Sequence, residues 1–197
     1  MGRTAKFDRE AALEISMNEI WSYGFEACSV KALSEKLGIT RSSFYNAFGS
    51  REALFLEVLE LYFSRSPDRV LNDVNETKNV RQLLTELFKD VCRTRTKDQT
   101  ARGCLAVNCV VELVGGEQEL GSILKNAVLS SIEQFELILK KAAIRGEINN
   151  DGKLREKALA LQNLIIGLNV MSKVVRSEKE LFSAAKQTLK GLDLYHE

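Results

Sequence analysis

Residues 29–55 read SVKALSEKLGITRSSFYNAFGSREALF, and this stretch decides the fold. Apolar residues recur at helical spacing on both sides of Gly38: Val30, Leu33 and Leu37 before it, and Phe44 and Phe48 after it. The spacing predicts helices over residues 29–37 and about 41–48, joined by a tight turn that contains the glycine. Two short helices joined in this way have the layout of a helix-turn-helix, a unit whose second helix reads DNA.

The second of these helices separates apolar from polar side chains. Phe44 and Phe48 take the buried spacing, and the polar residues are left facing outward: Thr40, Arg41, Ser42, Ser43, Tyr45 and Asn46. Asparagine pairs with an adenine edge, arginine with guanine or phosphate, and hydroxyl groups with phosphate oxygens or bases. A solvated polar face on an ordinary helical corner has the same pattern, so the spacing alone leaves both interpretations open.

Helical patterns continue along the rest of the chain, and no stretch alternates as a strand does. They cover residues 9–23, 51–64, 80–94, 103–114, 117–145, 153–176 and 179–192. The sequence therefore predicts an all-α protein of about nine helices. Because Pro67 ends or kinks the fourth helix, we expect an N-terminal helix-turn-helix domain over residues 1–66 and a C-terminal helical bundle over residues 67–197.

Composition narrows the class of protein. The chain has 197 residues, of which 45% are hydrophobic and 28% charged, with a net charge of +1, as is typical of globular proteins. Residues 1–20 contain no apolar signal core and the longest apolar stretch is interrupted by polar residues, so we expect a cytoplasmic protein with no membrane partner. His196 is the one histidine and the four cysteines form no C-x-x-C pair. We therefore expect reduced thiols, no metal, no cofactor and no enzymatic activity.

Residues 24–55 resemble the DNA-binding module of the TetR family of one-component transcriptional regulators. The resemblance rests on Gly24-Phe25-Glu26-Ala27 and on the whole of residues 29–55, and it extends in order to about residue 65. It implies a ligand-responsive repressor that binds a palindromic operator in double-stranded DNA as a homodimer. It also implies a C-terminal bundle that holds a pocket for a small-molecule effector and the dimer interface. An activator would share these features.

The resemblance assigns DNA contacts to two groups of residues. Contacts to bases or sugars are expected from Arg41, Ser42, Ser43 and Asn46 in the recognition helix. Contacts to phosphates are expected from Ser29, Thr40, Tyr45 and Arg51, several of them at helix starts, which favour anions. The family usually has lysine where Arg51 stands and often histidine or tyrosine where Asn46 stands. A bidentate phosphate contact and a preference for adenine are therefore expected here.

Residues 1–55 carry no net charge, so their attraction to DNA must depend on where the positive charges lie. Through residue 55 there are seven basic residues (Arg3, Lys6, Arg9, Lys31, Lys36, Arg41, Arg51) and seven acidic ones (Asp8, Glu10, Glu14, Glu19, Glu26, Glu35, Glu52). Arg3 and Lys6 precede the first acid, so this terminus is either an arm that reaches DNA or a frayed, solvated end.

One helix of the predicted C-terminal bundle carries apolar residues on more than one of its faces. Residues 159–175 are apolar on several sides, and a second copy of the chain is the simplest cover for the second side. The expected dimer interface comprises Leu161, Leu164, Ile165, Leu168, Phe182 and Leu189. The expected effector pocket comprises Phe88, Cys104, Asn108, Val111, Phe135 and Ile166. Apolar stripes at helical spacing also pack directly as core, so a solid core is the alternative to a pocket.

Two alternatives to a ligand-responsive repressor stay open. Residues 102–108 resemble the start of the sixth helix in one branch of the family, and a thiolate is favoured at a helix start. Oxidation or electrophile modification of Cys104, with Lys173 as a nearby cation, is therefore an alternative effector signal, set against an inert buried cysteine. A helical interaction protein without specific DNA binding is the other alternative.

Overall fold

The computed structural model describes residues 8–71, 78–116 and 118–197. Its regular structure is helical: α1 Arg9–Tyr23, α2 Val30–Leu37, α3 Arg41–Phe48, α4 Arg51–Arg65, a 3-10 helix Pro67–Leu71, α5 Val80–Lys97, α6 Leu105–Leu113, α7 Gln118–Ile144, α8 Leu154–Met171 and α9 Glu178–Gly191. These nine α-helices, without a strand among the described residues, confirm the all-α prediction. None of them is both long and apolar enough to cross a lipid bilayer. The chain divides into two compact units, Met1–Ser64 and Arg65–Glu197.

Side-chain caps set the starts of the helices in the first unit. The side chains of Asp8, Ser29 and Thr40 accept hydrogen bonds from backbone N–H groups in the first turns of α1, α2 and α3. These N–H groups have no partner within their own helix, so each cap stabilises its helix by about 1 kcal/mol. At the other end of α2, Gly38 has a φ of +67°, a conformation that favours glycine, and this turn joins α2 to α3.

Aromatic side chains form the core of the first unit. Phe25, Phe44 and Phe55 are fully buried, and the ring centroids of Phe25 and Phe55 lie 4.7 Å apart. Phe44 and Phe48 both point inward from α3, with ring centroids 5.3 Å apart. The predicted apolar side of the recognition helix therefore anchors this helix in the unit. The proposed Arg3 and Lys6 arm lies outside the described residues.

The second unit encloses a hydrophobic core shared by α5, α7, α8 and α9. Helix α7 packs along α8, and α5 packs along α9. The helical pattern through residue 176 overestimates the length of α8, which ends at Met171. The chain turns there, and the guanidinium of Arg176 donates hydrogen bonds to the backbone carbonyls of Ser172 and Arg95. The end of α8 is thereby fixed to the end of α5.

Candidate functional site

The polar side of α3 is exposed along its whole length. The residues predicted to face outward are all exposed: Thr40, Arg41, Ser42, Ser43, Tyr45 and Asn46. Beneath them, Phe44 and Phe48 hold α3 to the unit at 0% and 4% exposure. The structure thus brings the six side chains onto one surface of a helix that is fixed from below. An α-helix with such a surface fits the major groove of B-DNA, where base edges carry a distinct pattern of donors and acceptors.

Ser29 caps the start of α2, and Thr40 caps the start of α3. Ser29 Oγ accepts from the backbone N–H of Ala32 at 3.2 Å, and Thr40 Oγ1 accepts from the backbone N–H of Ser43 at 3.1 Å. Thr40 Oγ1 also lies 2.9 Å from Ser43 Oγ. A hydroxyl group that accepts a hydrogen bond keeps a proton of its own to donate. The caps therefore leave these side chains chemically able to donate to phosphate at helix starts, where the dipole favours an anion.

Arg41 differs from the other basic side chains that the structure describes in the first unit. Arg9, Lys31, Lys36 and Arg51 each have a carboxylate 2.7 to 3.9 Å away. Among the residues that the structure describes, Arg41 has no such partner, and it is exposed at the start of α3. The module, whose charges cancel through residue 55, thus presents an uncompensated positive charge on its recognition helix, where this charge can attract DNA.

Arg51 is held at the start of α4 by three neighbours. Its guanidinium carbon lies 4.1 Å from the centre of the Phe25 ring, in a cation–π contact. Its Nη2 lies 3.7 Å from Oε1 of Glu26, and its Nε donates to Oε1 of Glu52 at 3.5 Å. The guanidinium that is predicted to bind a phosphate is therefore oriented by the Phe25 ring, and its charge is partly neutralised by the two carboxylates. Sequence reasoning misses Phe25 and Glu26, because they reach Arg51 from the loop between α1 and α2.

The residues expected to line an effector pocket do not share one cavity. Phe88 and Phe135 are fully buried in the same packed core, whereas Val111 is 79% exposed on α6. The Asn108 side chain donates from Nδ2 to the Arg102 carbonyl at 2.9 Å and so closes the turn before α6. Ile166 is half-buried on α8, and Cys104 is buried at the start of α6. Phe88 and Phe135 pack directly in this core, as the solid-core alternative expects, and the effector pocket stays a prediction.

The residues expected at the dimer interface lie mostly in the core of their own chain. Leu161, Ile165, Leu168 and Leu189 are buried there, and Leu164 and Phe182 pack against the same core at partial exposure. Leu164 and Leu168 also line the groove between α8 and α9. Both sides of α8 are apolar, so spacing alone cannot assign them, and the interface residues stay a prediction.

An exposed apolar surface of α8 adjoins these residues. Its exposed apolar side chains, with one in the turn that follows, are Leu159, Val170, Met171 and Val174. A groove of about 670 Å³ runs between α8 and α9 beside them, lined by Ala160, Asn163, Leu164, Gly167, Leu168, Met171, Val175, Glu180, Leu181, Ala184 and Thr188. We call this groove and the four exposed side chains the α8–α9 surface. Contiguous exposed apolar surface of this kind marks interaction sites.

Gly103 is pressed against α8 at the turn before α6. Its φ is +72°, and a Cβ at this position would lie 2.7 Å from the carbonyl oxygen of Asn169 and 2.9 Å from Cε of Lys173. Asn169 is itself fixed, because its Oδ1 accepts from Nε of the buried Arg95. The fold therefore places the stem of Lys173 against the residue that precedes Cys104.

The exposed face of α3, the capped helix starts and the uncompensated Arg41 define a helix-turn-helix DNA-binding protein. Comparison with known proteins gives the family. Residues 12–58 match a family model described as "Bacterial regulatory proteins, tetR family". Residues 81–188, more than half of the chain, match a second model described as "Tetracyclin repressor-like, C-terminal domain".

Similar proteins align over nearly the full chain. The HTH-type transcriptional repressor ComR of Escherichia coli strain K12 is 28% identical, over 96% of this chain and 90% of its own. An uncharacterised HTH-type regulator of Bacillus subtilis strain 168, YezE, is 24% identical over 98% of this chain and 100% of its own. A cysteine mutant of the TetR family regulator CifR, solved with 26-bp operator DNA, is 28% identical with a TM-score of 0.83, covering 95% of this chain and 98% of the CifR chain. The chain belongs to the TetR family of transcriptional regulators, as residues 24–55 indicate.

Proposed function

We propose that the protein is a repressor that binds a palindromic operator as a homodimer and leaves it when a small-molecule effector binds. The exposed polar face of α3, with Arg41 free of any acidic partner among the described residues, is the observation that carries this proposal. Within this face, Arg41, Ser42, Ser43 and Asn46 read bases or sugars. The phosphate contacts come from Ser29, Thr40, Tyr45 and Arg51. ComR is named a repressor and CifR was solved with operator DNA, which supports the same activity here.

The α8–α9 surface supports the homodimer. One recognition helix reads only a few base pairs, whereas two helices held about one DNA turn apart read a palindrome. A two-fold dimer buries the same patch on both chains, so one apolar surface is sufficient. The helix-turn-helix domain, residues 1–66, then binds DNA, and residues 67–197 form the regulatory and dimerisation domain.

Phe88 and Phe135 pack directly in the core of the second unit. An effector that binds between them must therefore move helices of this unit apart. We therefore infer that the effector selects a more open state of the bundle whose recognition helices are wrongly placed for the operator. Its differential affinity for the two states sets the loss of DNA affinity, typically about 1 to 3 kcal/mol. We also propose that the protein is a cytoplasmic regulator without enzymatic activity.

Alanine substitutions on the recognition helix test the DNA contacts. Asn46→Ala and Arg41→Ala each remove a base-reading side chain, and we expect each to weaken operator binding by about 1 to 3 kcal/mol while binding to unrelated duplex changes less. Lys31→Ala is the matched control, since Lys31 is exposed on α2 and lies 3.9 Å from Glu35. Equal losses on operator and unrelated DNA would overturn the base-reading role. The measurement is a titration with both duplexes at one salt concentration.

Modification of Cys104 is a second candidate signal, favoured by the packing of Lys173 against Gly103. Cys28, Cys92, Cys104 and Cys109 are all buried. Burial, with a smaller contribution from the charge of Glu178, raises the pKa of Cys92 to about 12 and makes this thiol unreactive at neutral pH. Cys92 is therefore the internal control in the same molecule.

A pulse of N-ethylmaleimide followed by peptide mass spectrometry tests this candidate. Sensing predicts that Cys104 reacts well before Cys92 and that its modification releases the operator, with Cys104→Ser insensitive. Equal protection of the two cysteines would rule out Cys104 as the sensor and would leave the DNA-binding proposal intact.

A further inference from the structure

We propose that Glu26 is an intramolecular competitor for the phosphate contact of Arg51 and thereby sets the DNA affinity of the module. This inference rests on the proposed function, in which Arg51 binds a phosphate. It concerns a loop residue outside the recognition helix, and it follows from the arrangement of side chains around the start of α4.

The position of the Arg51 guanidinium is fixed by its stacking on Phe25. The contact measures 4.1 Å from the guanidinium carbon to the ring centre, and Phe25 is completely buried against Phe55. The Arg51 side chain is only 23% exposed, so it has little freedom to search for other partners. Whatever anion binds Arg51 must come to the guanidinium, because the guanidinium cannot move far to meet it.

Two carboxylates face this guanidinium, and they differ in exposure and distance. The carboxylate of Glu52 accepts from its own backbone N–H and from the Ser50 hydroxyl, and these bonds lower its pKa against the effect of partial burial. It lies 3.5 Å from Nε of Arg51, and its side chain is 44% exposed. Glu26 lies 3.7 Å from Nη2, and its side chain is 61% exposed. Glu26 is thus the more distant and more exposed partner, the one that an incoming phosphate displaces.

A phosphate and Glu26 would use the same edge of Arg51. Nη2 belongs to the outer part of the guanidinium fork, the part that binds phosphate in a bidentate contact. A partly exposed ion pair at this distance shifts an equilibrium by roughly two- to fivefold. A phosphate therefore displaces Glu26 readily, but breaking the Arg51–Glu26 ion pair lowers the affinity for DNA by about two- to fivefold. The departing carboxylate also stays near the DNA, where like charges repel.

Glu26→Gln removes the charge and leaves the Phe25 contact in place. We expect this variant to bind an operator selected from random duplex DNA about two- to fivefold more tightly. The slope of log K against log salt concentration should become steeper by up to about 0.9, because Arg51 then neutralises a phosphate more fully. Glu35→Gln is the matched control: it removes one exposed acid, 67% exposed, from the same module without touching Arg51. It should change affinity less than Glu26→Gln.

A double-mutant cycle with Arg51→Ala separates competition from general repulsion of DNA. If Glu26 acts through Arg51, Glu26→Gln has little effect in the Arg51→Ala background. The same gain in both backgrounds, or no gain in the parent, would overturn the inference while operator binding by the unchanged protein upholds the proposed function. Failure of the unchanged protein to bind any selected duplex would instead refute the proposed function. Thermal unfolding of each variant checks that the module still folds.

Discussion

Gly103→Ala is the substitution for which the structure gives the clearest expected magnitude. A non-glycine residue at φ +72° costs about 1 to 2 kcal/mol. The new Cβ would also lie 2.7 Å from the Asn169 carbonyl oxygen, a backbone atom of α8 that cannot swing aside as the Lys173 side chain can. Overpacking of this kind costs about 1 to 3 kcal/mol more. We therefore expect a total destabilisation of about 2 to 5 kcal/mol.

Gly146→Ala is the control that isolates the close approach. Gly146 has the same φ of +72°, but nothing lies within 4 Å of the position of its Cβ. Its substitution should cost only the conformational part, about 1 to 2 kcal/mol. Urea unfolding followed by far-UV circular dichroism gives both values. Equal destabilisation by the two substitutions would mean that the turn before α6 does not approach α8 closely at Gly103.

Two further predictions concern the second unit. Burial alone would raise the pKa of Asp98, but hydrogen bonds from Arg102 and Thr100 outweigh it and lower this pKa to about 2, against 3.8 for an ordinary aspartate. The ionised carboxylate therefore adds about 2 kcal/mol to the free energy of unfolding above pH 4, and this contribution is lost as the pH falls toward 2. At pH 7, Asp98→Asn should lower the free energy of unfolding by about the same amount. A difference between variant and parent that is as large at pH 2 as at pH 7 would contradict this prediction. Met171→Glu should convert the dimer to a monomer in analytical sedimentation, because Met171 lies on the α8–α9 surface. Leu137→Glu on α7 is the control and should leave the dimer intact, since Leu137 is 46% exposed and Met171 is 48% exposed. A dimer that persists in Met171→Glu would exclude the α8–α9 surface as the interface.

The recognition helix could be predicted from sequence because its signals are local. Thr40 precedes the first helical residue, and Phe44 and Phe48 lie one turn apart, so spacing alone assigns the buried and the exposed side of α3. Caps and short periodic segments depend on neighbours within a few residues, and the chain order contains these directly.

The buried side of α8 could not be predicted from sequence because it depends on which apolar side meets which neighbouring helix. Helix α8 is apolar on two sides, and only packing against α7 and α9 shows that Leu161 and Ile165 turn inward while Val170 and Met171 stay exposed. The neighbours of Arg51 illustrate the same limit. Glu26 reaches this residue across the fold, and no spacing rule connects the two positions.

Selection of bound sequences from random duplex DNA tests the central claim most directly. The protein is incubated with the duplex pool at near-physiological salt, with and without cell extract as a source of effector, and the retained DNA is sequenced. We expect enrichment of a palindrome whose two half-sites lie about one helical turn, or a multiple of it, apart. Retention of no preferred sequence under either condition would contradict the assignment of α3 as a recognition helix that reads an operator.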